Sequence, residues 1–156
     1  MTQEIWKAAT IIDWSQRLLS SYRKLLKQEL IERTGNPQEE AERLFFAPFV
    51  VASHGIGSDP IYNYGNKILL ELWERNWQQL TSMPSRLSAE KILREERQKI
   101  LEATSQQGYL RNYQCIRISR TGKRYKINDI TLWNIIDDQG SLYGQAATFS
   151  DWILLN

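Results

Sequence analysis

The feature that most constrains this chain is the alternation in its last third, Gly108 to Trp152, which reads GYLRNYQCIRISRTGKRYKINDITLWNIIDDQGSLYGQAATFSDW. Gln114, Ile116, Ile118 and Arg120 fall on one side of a period of two, opposite Tyr113, Cys115, Arg117 and Ser119. That period belongs to a strand with two different faces. Arg120-Thr121-Gly122-Lys123 and Asp137-Asp138-Gln139-Gly140 interrupt it. Glycine supplies the backbone freedom of tight connections, and Asp bonds locally to its own turn. The stretch therefore predicts three consecutive antiparallel strands, and their apolar face needs a cover.

The remaining chain supplies one. Ile5, Ala9, Ile12, Leu19, Leu26 and Leu30 recur at helical spacing and predict an amphipathic helix over 4–33, with Gly35 at its C-terminal cap. Its stripe is wide enough to lie across a sheet or against a second copy. Asn36-Pro37-Gln38-Glu39 restarts a helix in a capping-box pattern. Phe49–Ser53 and Pro60–Tyr64 are short β-prone runs around a loop, His54 to Asp59. Asn66 and Asn76 can each cap a short helix. An amphipathic helix follows from about Ser88 to Gln106, with Leu93, Ile100, Leu101 and Thr104 on one side and Gly108 at its end. Two early strands plus the late three make an α+β domain: a PAS-like five-stranded antiparallel sheet with helices on one face, plus an N-terminal helical extension. The expected division is 1–44 for the extension and 45–156 for the PAS-like domain.

Composition narrows the function. Twenty basic and 18 acidic residues leave a net charge of +2, too balanced to argue for nucleic acid. The uncharged run Leu44 to Ser58 is too short to span a bilayer, and Glu4, Lys7 and Asp13 break any signal-peptide pattern. A single cysteine forms no internal disulfide, so the expected location is cytoplasmic.

Four segments carry a family resemblance: HGIGSDPIYNYGN (His54 to Asn66), LELWERNWQQLTSMPSRLSAE (Leu70 to Glu90), QGYLRNYQCIRISRTGKRYKI (Gln107 to Ile127) and TLWNIIDDQGSLYGQAATF (Thr131 to Phe149). Together they resemble the MEKHLA domain family over roughly Phe45 to Trp152. That family is similar to PAS domains and occurs as small stand-alone bacterial proteins. It also occurs at the C-terminus of plant class III homeodomain–leucine zipper transcription factors. The resemblance implies a sensory or regulatory module and names no ligand, so the cofactor stays unknown. Flavin-binding photosensory PAS domains use an Asn-Cys-Arg-Phe-type motif on a helix, whereas Cys115 falls in a strand. Haem-binding ones generally use a helical histidine, and the helix from Ser88 lacks one.

Individual residues leave paired readings. His54, the only histidine, stands near Ser53, Ser58 and Asp59 without a nucleophile-elbow pattern, so a loop hydrogen bond competes with catalysis. One histidine and one cysteine do not close a zinc site. Arg117, Arg120, Lys123, Arg124 and Lys126 make a basic hairpin, either a nucleic-acid patch or a charged edge that discourages aggregation. Arg86 either meets an anion beside a helix N-terminus or pairs with Glu90. Trp73, Trp77, Trp133 and Trp152 either fill the core or line a pocket anchored by Asn63, Asn66 and Asn134. The expected pocket lining is Leu69, Trp73, Leu93 and Ile118, with Asn63, Asn66 and Arg86 as anchors. No paired carboxylates or phosphate loop point to an enzyme. The expected function is thus a non-enzymatic sensory module that binds a small molecule between sheet and helices and signals through a protein partner or homodimer. The alternative is a ligand-free interaction or dimerisation domain with an aromatic-filled core. Nucleic-acid and membrane partners are not expected.

Overall fold

The computed structural model describes residues 4–89 and 94–155. After a 3-10 turn at Ile5–Lys7, helix α1 spans Ala9–Leu26. It is shorter than the period suggested, because Lys27 turns left-handed (φ 62°) and its N–H closes on the Arg23 carbonyl. Leaving the helix there lets Leu30 and Ile31 fold back onto the cluster that α1 itself covers. Gly35 is therefore not the cap of α1; its N–H donates to Glu40 Oε2 (3.1 Å), just ahead of α2, Pro37–Phe45. Asn36 caps α2 by accepting the Glu39 N–H (3.0 Å). The Glu39 carboxylate reaches forward to Arg43.

Among the described residues, six strands form one antiparallel sheet: β1 Val50–His54, β2 Tyr62–Gly65, β3 Tyr109–Ile118, β4 Arg124–Ile136, β5 Leu142–Phe149 and β6 Asp151–Leu154. The order is β2-β1-β5-β4-β3, with β6 also beside β4. The three late strands form the expected meander. The sixth strand arises from length: β4 has 13 residues, so β5 pairs with its Thr131–Ile136 half and β6 with Tyr125–Asn128. Between β2 and β3 lie α3 Lys67–Trp73, α4 Trp77–Thr81, a 3-10 turn Ser85–Ser88 and α5 Arg94–Gln107. Asn66 and Asn76 cap α3 and α4, the latter with a reciprocal bond from Gln79. Glu90 and Leu93 lie outside the described residues.

Helices cover both faces of the sheet. Leu69, Trp73 and Ile100 meet Val50, Ala52, Ile127, Leu132 and Phe149 on the inner face. Leu18, Leu19, Leu26 and Leu44 meet Val51, Tyr64, Trp133, Ile135 and Ala146 on the outer face. The one-sided arrangement expected from sequence thus describes α3 and α5, while α1 lies across the opposite face. Successive strand residues point to opposite sides, so adjacent positions such as Leu132 and Trp133 serve different cores. Gly108 ends α5 at φ +88°, its N–H donating to Thr104 O (3.0 Å). No helix among the described residues is long and apolar enough to cross a membrane.

Candidate functional site: a cavity beneath the sheet

The inner core is incompletely filled. Between sheet and helices lies a cavity of about 130 Å³. The alternate positions Tyr113, Cys115 and Arg117 of β3 border it, next to Ile127, Ile130 and Leu132 of β4. Phe149 and Ala147 of β5 and Ala52 and His54 of β1 continue the sheet wall, and Leu69, Trp73 and Ile100 close it from the helices. A strand presents every second residue to one face, which is why β3 sends a phenol, a thiol and a guanidinium to the same space.

Two polar wall residues, Tyr62 and Arg117, meet at the buried Ser88. Its Oγ donates to the Ser85 carbonyl (2.9 Å) and lies 2.7 Å from the Tyr62 hydroxyl. Arg117 Nη1 donates to the same oxygen (3.2 Å). A hydroxyl has one proton and two lone pairs, so Tyr62 must donate here and Ser88 is saturated. Arg117 has no carboxylate partner among the described residues. The Tyr113 hydroxyl and the Trp73 indole N–H are buried without a hydrogen-bond partner among the described residues. Burial pushes the Tyr113 phenol up. Burial also pushes His54 down, a carbonyl bond to Gly55 opposes it, and the Arg117 charge adds to the lowering. His54 Nδ1 sits 2.8 Å from the Gly55 carbonyl. A carbonyl only accepts, so Nδ1 carries the ring proton.

Of the residues singled out in the sequence, Trp73, His54 and Leu69 line this cavity. Asn66 does not: it is fully buried and accepts from Val51 N–H (3.1 Å) and Leu69 N–H (3.4 Å) while donating to Leu44 O and Phe49 O. Its amide is a four-way latch between β1, α3 and the end of α2. Asn63 faces the other side, accepting from Ser53 Oγ (2.6 Å), which in turn accepts from the Trp14 indole (2.9 Å). Trp133 is sealed under α1 with Tyr22 edge-on to its ring. Asn134 ties β4 to α5 by donating to Thr104 O (3.0 Å). Trp77 packs on Tyr64, and Trp152 meets Phe149.

Arg86 and Asp59 pair with each other on the surface (2.9 Å), so neither anchors the cavity. Ile118, expected in the lining, is not among its walls. The charged anchor is instead Arg117, which sequence alone had grouped with the basic hairpin; its position in the same alternation as Tyr113 and Cys115 was the available signal. The hairpin tip itself is tied down. The Ser119 and Thr121 hydroxyls donate to Glu74 Oε1, and Arg120 Nε donates to the Glu74 carbonyl (2.8 Å). Those hydroxyls hold the Glu74 carboxyl at about 2.

A MEKHLA domain model matches residues 12–154. Among curated proteins none matches the sequence. Among solved structures, a PAS domain from Colwellia psychrerythraea superimposes with a TM-score of 0.58 at 12% identity, over 71% of this chain and 92% of that one. A Light-Oxygen-Voltage domain studied with a flavin analogue gives 0.57 at 9% identity, over 76% and 85%. An RNA-binding Light-Oxygen-Voltage receptor gives 0.64 at 15% identity, over 82% of this chain and 35% of that receptor. At these identities the likeness is one of fold.

Proposed function

This chain belongs to the MEKHLA domain family, and on that premise we propose that it is a sensory module whose inner cavity takes a small ligand and whose surface passes the signal to a protein partner. The observation that supports this reading is the cavity of about 130 Å³ between the sheet and α3 and α5, in a core otherwise dense with aromatics. Native interiors are close-packed, so a void of this size with polar groups aimed at it calls for an explanation. The size also limits the ligand. Drug-sized ligands occupy roughly 300–1,000 Å³, whereas a cavity of about 150 Å³ holds benzene. A flavin, with its three fused rings and ribityl phosphate, does not fit, and Cys115 stands on β3 rather than on a helix. The proposed role is non-catalytic and cytoplasmic, in keeping with a free Cys115.

The test is a panel of compounds of benzene size, followed by tryptophan fluorescence and melting temperature, in the wild type and in Ala147→Leu. Ala147 packs against the inner core, and a leucine there occupies the space. A member of the panel should raise the melting temperature of the wild type and leave the variant unmoved. If none binds while Ala147→Leu is more stable, the void is only a packing flaw. A second reading then takes over: an interaction domain that works without ligand. Ile153 and Leu154, about half exposed on β6, support it, since among the described strands β6 pairs with β4 alone.

A further inference from the structure

We propose that the ligand of this cavity is a small monocarboxylate, its charged end on Arg117 and its apolar end among Trp73, Ile127, Leu132 and Phe149. The inference rests on the sensory reading above and deepens it. The wall combines aliphatic and aromatic side chains from α3, β4 and β5 with the polar groups of Arg117, Tyr113 and Tyr62. Arg117 is the one formal charge among the described lining residues. Histidine does not add a second cation, because burial and the neighbouring Arg117 both disfavour protonation of His54.

A guanidinium always carries its charge, and it presents five donors. Here the described side-chain partners of Arg117 are neutral, the Ser88 hydroxyl, whose capacity is filled by Ser85, Tyr62 and Arg117 together, and the Cys115 thiol. The charge thus meets no carboxylate among the described residues. Arg117 is half-buried, and charges drawn out of water in proteins are paired or meet a ligand. The Tyr113 hydroxyl, buried without a partner among the described residues and on the same face of β3, supplies a further donor.

Three properties select a carboxylate among anions. A planar carboxylate matches the guanidinium fork with two parallel bonds. One positive charge balances one negative charge, so a phosphate dianion would carry an excess into an apolar space. And the volume suits a ligand of about six heavy atoms, the size of butyrate, by comparison with a benzene-binding cavity of about 150 Å³.

The experiment compares the straight-chain acids from acetate to hexanoate with their primary amides at pH 7, read by calorimetry and Trp fluorescence on the full chain. Each amide keeps the shape of its acid and loses the charge. One acid should bind about tenfold to a hundredfold tighter than its amide, the range expected for a hydrogen bond to a charged group. Arg117→Met should abolish that preference, and Arg117→Lys should restore part of it. Equal affinities for acid and amide, or undiminished acid binding in a folded Arg117→Met, overturn the carboxylate assignment while leaving the sensory reading intact. If neither acids, amides nor benzene bind the wild type, that reading fails and the assignment with it. Should Arg117→Met not fold, the acid-against-amide comparison on the wild type decides alone.

Discussion

The hydroxyl of Ser21 completes both backbone hydrogen bonds of Ile136, donating to its carbonyl and accepting its N–H, each at 2.8 Å. Asn134, two residues earlier on β4, sends its N–H to Gly108 just before β3 begins. Past that point β3 offers no partner, and a helix side chain replaces the missing strand. Ser21→Ala should therefore cost about 1–3 kcal/mol, because it strands a part-buried donor and acceptor together. Urea unfolding should show the midpoint fall with an unchanged slope, whereas the exposed Ser20→Ala stays near wild type. Equal midpoints for the two variants would contradict the latch.

Gly144 is required by contact. A Cβ built there falls 2.1 Å from the backbone oxygen of His54, where β5 runs beside β1. Backbone cannot rotate away as a side chain can, so Gly144→Ala should destabilise by at least about 2 kcal/mol. Gly55→Ala is the control, since its Cβ would meet only Asn63 Nδ2 at 3.9 Å. A thermal melt of both variants separates a close approach from general loop sensitivity.

Glu40 makes the domain acid-sensitive. Burial alone would raise its carboxyl, but donors from Gln16, Arg33, Gly35 and Thr34 outweigh that and hold it at about 2, against an ordinary 4.5. A carboxylate whose folded value is depressed contributes stability above its unfolded value and loses it as pH falls toward the folded one. The contribution should thus be complete above pH 4.5 and fade between 4.5 and about 2. Glu40→Gln should cost about 2–4 kcal/mol at neutral pH, by leaving Arg33 and the Thr34 and Gly35 amides poorly served. It should also flatten the stability slope across that acid window. A variant with the wild-type slope would show that other carboxylates carry the acid response.

Removing residues 1–35 should expose Trp133, Ile135 and Tyr64, which α1 now covers. The truncated protein is expected to aggregate or to pair through that face, visible as a change in mass by light scattering. A soluble product of unchanged monomer mass and melting temperature would mean that the helix is dispensable.

Much of this fold is written in short-range patterns. Alternation and turn residues determine that β3, β4 and β5 form a meander, because strand period and turn chemistry depend on neighbours in the chain. The caps at Asn36, Asn66 and Asn76 are equally local, each accepting an N–H three residues ahead. The end of α1 is not: its period continues to Leu30, and only packing of Leu30 and Ile31 on the outer core makes a stop at Lys27 favourable. The site divides the same way. Sequence marks Arg86 and Arg117 as identical cations, Asn63 and Asn66 as identical amides. Tertiary structure pairs Arg86 with Asp59 in solvent, commits all of Asn66 to backbone, turns Asn63 toward α1 and leaves Arg117 facing the cavity. A periodic pattern states that two faces differ, but which one receives α1 and which encloses a cavity depends on burying every apolar stripe at once, and that is decided only when the whole chain has packed.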